Sequence, residues 1–182
     1  MAPSLLPGSI PDKLHDPLQG AINNKEPRMK PTIDEESPPW SLPATGNQTI
    51  SSASLLGSTI VLYFYPRDST PGCTSEAHDF RDSRQAFDAC NAVILGVSQD
   101  NLKSHEKFKL KQELNFELLS DEQGKVCQRF DVIKLKKMYG REFEGIERST
   151  FIIDKKGILR HEWRKVKVKG HVAEVLAAVT DL

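Results

Sequence analysis

The sequence predicts an α/β protein in which helices cover a central β-sheet. Residues 59–65 and 92–97 are continuous runs of aliphatic, β-branched and aromatic residues, with the length and composition of buried strands. A stretch of helical periodicity separates the two runs, and a strand–turn–strand pattern with a final helix closes the chain. This alternation of strands and helices is typical of a sheet packed between helical layers.

The first half of the predicted fold follows from local patterns. The strand at 59–65 ends at Pro66, and residues 67–72 have the composition of a loop. From Cys73 onward, apolar residues recur at three- and four-residue steps, which predicts a helix that ends before the second strand. A helix near 101–114 and a short strand at 116–119 follow the second strand.

The second half begins with a helix near 122–130. The segment that contains Tyr139, Gly140 and Gly145 is predicted to be an irregular loop. A strand at 150–153 and a strand at 158–163 are joined by residues 154–157, whose Asp-Lys-Lys-Gly sequence indicates a hairpin turn. A helix at 170–181 completes the chain.

Composition limits the functions that the chain can have. Its 182 residues suffice for one ordinary domain. Lys plus Arg and Asp plus Glu each number 25, so the formal net charge is zero and no general attraction to nucleic acid or to an anionic membrane is expected. No apolar window approaches the ~18 residues of a membrane span. Three cysteines are too few for the disulfide framework of a small secreted protein, and cytoplasm is the expected compartment.

The chain divides at about residue 30. Five of its eleven prolines lie in residues 1–30, which have no aromatic residue and no sustained periodicity. We expect these residues to form a flexible N-terminal extension and residues 31–182 to form the folded domain. Met29 begins a segment that reads like an ordinary protein start, so the first 28 residues are expected to be dispensable.

Cys73 is the candidate nucleophile. A thiol in the first turn of a helix faces unpaired backbone N–H groups and the positive end of the helix dipole, which both favour the reactive thiolate. Thr70 lies on the same loop and offers a hydroxyl. Pro66 lacks an N–H and shapes the loop, and Glu76 follows one helical turn later, where it can orient a cation. The Pro-Gly dipeptide before Cys73 argues against deep burial in a helix interior.

Residues 63–76, YFYPRDSTPGCTSE, resemble the peroxiredoxin active-site pattern Pro-x-x-x-Thr-x-x-Cys. The fuller motif is similar to the peroxiredoxin Q branch, also called bacterioferritin comigratory protein. The likeness continues through residues 80–82, 119–122, 145–154 and 165–171, and so covers about residues 33–182. It implies a thioredoxin-like fold with a central mixed β-sheet flanked by helices.

The resemblance also implies a role for each site residue. Cys73 would attack a hydroperoxide and become a sulfenic acid. Thr70 and Arg148 would hold the peroxide and stabilise the developing charge, Pro66 would limit solvent, and Glu76 would fix Arg148. Hydrogen peroxide and organic hydroperoxides would be the substrates of a thioredoxin-dependent hydroperoxide reductase. No metal or other cofactor is implied, because the thiol supplies the chemistry.

One position departs from the family pattern. Many peroxiredoxin Q proteins have a resolving cysteine five residues after the peroxidatic one, and here that position is His78. Three routes remain open: Cys90 resolves after local unwinding of the helix, Cys127 resolves from its own helix, or an external thiol attacks the sulfenic acid. As ordinary packing residues, Cys90 and Cys127 would be inert.

A different class of function is a redox sensor or partner-binding module on the same fold, in which oxidation of Cys73 is a signal. Steady-state turnover of peroxide separates the two functions. For an enzyme, the expected partners are a hydroperoxide and thioredoxin, glutaredoxin or a small thiol as reductant. The resemblance also favours a monomer.

Overall fold

The computed structural model describes residues 30–182. The expectations for a flexible extension and for dispensable first residues lie outside the described part, apart from residue 30. The strands of the described chain are β1 (Ser41–Ala44), β2 (Gln48–Ser51), β3 (Thr59–Phe64), β4 (Ala92–Ser98), β5 (Glu117–Ser120), β6 (Ile133–Met138), β7 (Arg141–Ile146), β8 (Ser149–Ile153) and β9 (Leu159–Trp163). The helices are α1 (Pro71–Ala89), α2 (Leu102–Lys111), α3 (Lys125–Arg129) and α4 (His171–Thr180).

The central sheet is mixed, as predicted. Its strands lie in the order β2-β1-β5-β4-β3-β8-β9. Strands β3, β4 and β5 run parallel, whereas β8 and β9 on one side and β1 and β2 on the other pair antiparallel. All six residues of β3 are buried, because this strand is covered on both faces and paired on both edges.

The sheet separates two hydrophobic clusters. Side chains of a strand alternate between its faces, so Ile60, Leu62 and Phe64 of β3 belong to one cluster and Val61 and Tyr63 to the other. The first cluster includes α3 residues. The second cluster includes residues of α1, α2 and α4, and it contains Cys73. Within residues 30–182, no helix is both long enough and apolar enough to cross a membrane.

The predicted central elements are confirmed with small differences at their ends. The helix that was expected from Cys73 begins at Pro71, and the helix expected at 122–130 is the short α3. The predicted hairpin of residues 150–163 is formed by β8 and β9, and Gly157 in its turn has a φ of +84°. That left-handed conformation is one that glycine adopts without steric cost.

The irregular loop predicted around residues 139–145 is wrong. Strands β6 and β7 form a regular antiparallel hairpin there, closed by Tyr139 and Gly140, which both have positive φ. The hairpin stands outside the main sheet and is largely exposed, so it has none of the continuous apolar runs that predicted the buried strands. Strands β1 and β2 were also missed, because Pro43 interrupts the strand pattern of the first.

Candidate active site

The register of the sheet gathers the candidate site residues at one end of β3. Phe64, the last residue of β3, pairs with Ser149, the first residue of the antiparallel β8. Arg148 directly precedes β8, so it lies beside the loop that leaves β3 and leads into α1. The topology thereby joins residues that are more than 70 positions apart in sequence.

Cys73 lies in the first turn of α1. Thr70 is the N-cap residue, Pro71 is in the first turn, and the backbone oxygen of Thr70 accepts a hydrogen bond from the N–H of Thr74. As expected from the Pro-Gly dipeptide, Cys73 does not lie in the helix interior, but its side chain is nevertheless only 1% exposed. It is buried because it packs into the cluster that contains Tyr63, despite its place at the helix end.

The guanidinium of Arg148 bridges Cys73 and Glu76. Its Nη2 donates to the Sγ of Cys73 at 3.4 Å, and its Nη1 donates to Oε2 of Glu76 at 2.5 Å. Cys73 and Glu76 are three residues apart on a helix and so share a face. The two arms of one planar cation therefore reach both acceptors, an arrangement that fixes the positive charge against the sulfur.

Glu76 is a fully buried carboxyl group. Burial raises the pKa of Glu76 to about 7, although the charge and hydrogen bond of Arg148 act in the opposite direction. Its Oε1 has no hydrogen-bond partner among the described residues. On the other side of the pair, burial lowers the pKa of Arg148, but Glu76 and Cys73 outweigh this effect and raise it. Arg148 therefore remains a cation.

Thr70 and Pro66 lie on the loop between β3 and α1. The hydroxyl of Thr70 donates to the backbone oxygen of Arg67 at 2.9 Å, so its proton is engaged within the loop and its oxygen can still accept a bond. Thr70 is half-buried, and Pro66 is exposed. The structure thus brings Arg148 into direct contact with both Cys73 and Glu76, and it places Thr70 and Pro66 on the adjoining loop.

Gly72 is a site residue that sequence reasoning missed. A Cβ atom at this position would lie 3.2 Å from Nη2 of Arg148, which is closer than most Cβ contacts. Glycine here leaves room for the guanidinium to approach the helix end. In the sequence, the Pro-Gly pair predicts only a loop. The proximity of Gly72 to Arg148 depends on the pairing of β3 with β8, which the sequence does not reveal.

The other two cysteines are far from Cys73 in the fold. Cys90 follows the last residue of α1, and its Sγ lies 3.8 Å from Oγ1 of Thr180. Cys127 is 0% exposed in the cluster on the opposite face of the sheet, where burial and then Asp121 raise its pKa far above the usual value. His78 is half-buried, and its Nε2 lies 2.8 Å from Oε1 of Gln112.

One group of side chains in the described residues has the spacing of metal ligands. Asp68, Asp100 and His105 bring one potential ligand atom each to within 4.8 Å of one another. These atoms are already engaged in hydrogen bonds within the protein, since His105 bonds to Asp68 and Asp100 bonds to the N–H of Asp68. The group forms a hydrogen-bond network beside the Cys73 loop.

The chemistry available at the site is nucleophilic attack by sulfur beside a fixed cation. The free N–H groups of the first helical turn and the Arg148 guanidinium point positive charge toward Cys73. The same groups can stabilise negative charge on an oxygen atom bound next to the sulfur. Such a site suits the transfer of an oxygen atom from a peroxide to a thiolate.

Comparisons with known proteins agree with this chemistry. A model of the AhpC/TSA family matches residues 33–162. Peroxiredoxin Bcp of Bacillus subtilis is 53% identical over 150 residues, which are 82% of this chain and 96% of the relative. Peroxiredoxin Bcp of Xanthomonas campestris is 52% identical over 134 residues, which are 74% and 83% of the two chains.

Solved structures give the same result. The bacterioferritin comigratory protein of Xanthomonas campestris has a TM-score of 0.75 and 46% identity, with 78% of this chain and 90% of that chain covered. A PrxQ variant from Xylella fastidiosa has a TM-score of 0.79 and 39% identity, with 83% and 96% covered. These neighbours confirm the thioredoxin-like fold. The chain therefore belongs to the AhpC/TSA family, in its peroxiredoxin Q or Bcp subfamily, and it is a thiol-dependent peroxidase.

Proposed function

We propose that Cys73 is the peroxidatic cysteine and that hydrogen peroxide and small organic hydroperoxides are its substrates. The observation that carries the proposal is the 3.4 Å contact between Nη2 of Arg148 and Sγ of Cys73 at the start of α1. Organic substrates are supported by the Xanthomonas campestris relative, whose structures concern alkyl peroxide reduction.

In the first half-reaction, the Cys73 thiolate attacks the terminal peroxide oxygen. The new S–O bond forms with the electron pair of sulfur while the O–O bond breaks, and the departing oxygen takes a proton to become water or an alcohol. Arg148 and the first-turn N–H groups stabilise the charge that moves onto the oxygens. Thr70 places its hydroxyl beside the peroxide, Pro66 limits solvent, and Glu76 orients Arg148. The product is the sulfenic acid of Cys73.

An external thiol resolves this sulfenic acid in the proposed cycle. Cys90 lies seventeen residues along the axis of α1 from Cys73, about 25 Å at the helical rise of ~1.5 Å per residue. A disulfide requires Cα atoms within about 7 Å. Cys127 is separated from Cys73 by the whole sheet. Neither sulfur can reach Cys73 unless a large part of the fold opens.

We propose thioredoxin, glutaredoxin or a small thiol as the reductant of this cycle. We further propose a monomer that acts in the cytoplasm, where the three free cysteines remain reduced. Residues 31–182 form the peroxidase domain, and residues 1–30 form an extension that the chemistry does not use. The resemblance to peroxiredoxin Q supports the choice of monomer and reductant.

Peptide mass spectrometry after one equivalent of hydrogen peroxide, with a sulfenic acid trap present, tests the proposal. We expect the trap on Cys73, with Cys90 and Cys127 still reduced. The matched control is Cys73→Ser, which should lose peroxide reduction and keep its fold, as monitored by circular dichroism. A 73–90 or 73–127 disulfide would refute the external-thiol cycle, and turnover by Cys73→Ser would refute the assignment of the peroxidatic residue.

A further inference from the structure

A buried histidine lies next to the loop that leads into α1. His105 of α2 is 0% exposed, and Asp68, in the middle of that loop, is also buried. The Nδ1 of His105 lies 2.8 Å from Oδ2 of Asp68, and its Nε2 lies 3.0 Å from the backbone oxygen of Leu119 in β5. His105 therefore ties the loop to β5, which lies two strands away from β3 in the sheet.

The contacts of His105 determine its charge. Besides Asp68 and Leu119, the hydroxyl of Tyr65 lies 3.4 Å from its Nδ1, but that hydroxyl donates its own proton to Asp68. A carboxylate oxygen and a backbone carbonyl can only accept hydrogen bonds, and a neutral imidazole has a single N–H to donate. Both contacts are satisfied only if the ring carries two protons and a positive charge. Asp68 is correspondingly ionised, since it also accepts from the hydroxyl of Tyr65 at 2.6 Å and from that of Ser104 at 2.7 Å.

The electrostatics of Asp68 agree with this assignment. Burial acts to raise the pKa of Asp68, but the hydrogen bonds and charge of His105, with the bonds from Tyr65 and Ser104, outweigh burial and lower it. Burial of an ion pair costs desolvation free energy, which is offset only when further hydrogen bonds satisfy both partners. Here Tyr65 and Ser104 donate to Asp68, and the backbone oxygen of Leu119 accepts from His105.

The loop that Asp68 anchors is strained. Ser69, the next residue, has a φ of +60°, a left-handed conformation that costs a non-glycine residue about 1 kcal/mol or more. The N–H of Asp68 donates to Oδ2 of Asp100 at 2.8 Å, so the loop is held through both its backbone and its side chain. These contacts offset the strain and keep Thr70 and the first turn of α1 in place.

The two half-reactions make opposite demands on this loop. Peroxide must meet an ordered Thr70, Arg148 and helix end, which requires a closed loop. A second sulfur must then touch the Sγ of Cys73, whose side chain is 1% exposed. The resolving thiol can therefore reach the sulfenic acid only when the loop and the first turn of α1 move aside.

We propose that the Asp68–His105 ion pair is a positioning device that holds the loop of residues 66–70 closed over Cys73, and that its release admits the resolving thiol. His105 acts through Asp68 and does not touch the reacting atoms. The inference rests on the proposed role of Cys73 and deepens it. Two residues outside the reacting centre would set the rate of Cys73 oxidation relative to the rate of attack by the resolving thiol.

Single-turnover kinetics test the two demands separately. In His105→Leu we expect sulfenic acid formation to slow about tenfold, because the catalytic groups lose their alignment, and attack by dithiothreitol on the sulfenic acid to quicken about threefold, because the open state is more populated. The control is His78→Leu, which removes a half-buried histidine that bonds to Gln112 and has no hydrogen bond to the loop, and it should change neither rate. Equal slowing of both steps, or no change in either, would overturn the proposal.

A measurement on the unaltered protein covers the case in which His105→Leu does not fold. Nitrogen-15 spectra of the imidazole rings should show two protonated nitrogens for His105 in the wild-type chain at about pH 7. A single protonated nitrogen would contradict the ion pair. The isosteric Asp68→Asn should reproduce the opposite changes of the two rates. If the wild-type chain forms no sulfenic acid at Cys73, the proposed function fails instead, while the ring spectra still report the charge of His105.

Discussion

The Nη2 of Arg148 lies 3.4 Å from the Sγ of Cys73, although 75 positions of sequence separate the two residues. The antiparallel pairing of β3 with β8 brings them together, and Glu76 holds the other arm of the guanidinium. A single planar cation is thereby shared between the candidate nucleophile and a buried carboxyl group.

Replacement of Arg148 tests this relationship directly. Arg148→Ala should slow sulfenic acid formation about 10²-fold, because the charge that develops on oxygen loses its fixed partner. Arg148→Lys keeps the charge but cannot bridge two acceptors, so its rate should fall between those of Arg and Ala. Stopped-flow oxidation gives the rates, and the control is Arg84→Ala on α1, the helix that carries Cys73. An effect below about threefold would show that Arg148 does not stabilise the charge that develops on oxygen.

Glu76 should make the stability of the protein depend on pH. Its folded pKa of about 7 lies above the ordinary value of 4.5, so the folded state binds its proton more tightly than the unfolded state. This contribution is complete below pH 4.5 and is lost as the pH rises to about 7. Relative to wild type, Glu76→Gln should therefore gain about 3 kcal/mol of unfolding free energy across that range.

Urea denaturation at a series of pH values measures the Glu76 effect. The control is Glu174→Gln, which alters an exposed carboxylate on α4 and should follow the wild-type profile. If the difference between Glu76→Gln and wild type stays constant with pH, the buried carboxyl group titrates in its ordinary range.

Gly72 should be needed for the approach of Arg148. A Cβ at this position lies 3.2 Å from Nη2, so Gly72→Ala should push the guanidinium from the sulfur and slow oxidation about tenfold. The fold should tolerate the change, because alanine is a good helix former. Ser75→Ala is a suitable control, since it places an alanine at an exposed position of the same helix. Oxidation at the wild-type rate in Gly72→Ala would show that the close approach is not required.

Two neighbouring tyrosines should respond oppositely to removal of their hydroxyl groups. The hydroxyl of Tyr63 is buried without a partner among the described residues, so Tyr63→Phe should raise the unfolding free energy by about 1 kcal/mol. The hydroxyl of Tyr65 donates to Asp68 at 2.6 Å, so Tyr65→Phe should lower the unfolding free energy by about 1–2 kcal/mol. Chemical denaturation of both variants provides the comparison, and changes of the same sign would contradict it.

The sequence was most informative where burial is complete. Strands β3 and β4 were predictable because both of their faces are covered, which requires unbroken apolar runs. The hairpin of β6 and β7 could not be predicted in this way, since its side chains face solvent and alternate lysine with exposed apolar residues.

The site was predicted from the family resemblance more than from spacing. Cys73 at a helix start could be derived from the loop and the periodicity that follows it. The place of Arg148 depends on a strand register that no local pattern encodes. The Asp68–His105 contact was missed for the same reason, because it depends on how α2 packs against β5.

The separation of the three sulfurs also determines how peroxide inactivates the enzyme. In the proposed cycle, the oxidised Cys73 has no neighbouring thiol and meets two competing bimolecular reactions. An external thiol restores the enzyme, whereas a second peroxide molecule converts the sulfenic acid to a sulfinic acid and ends its activity. The fraction of molecules inactivated in each turnover then depends on the ratio of peroxide to thiol around the protein. The number of turnovers before inactivation therefore depends on the redox balance of the surroundings.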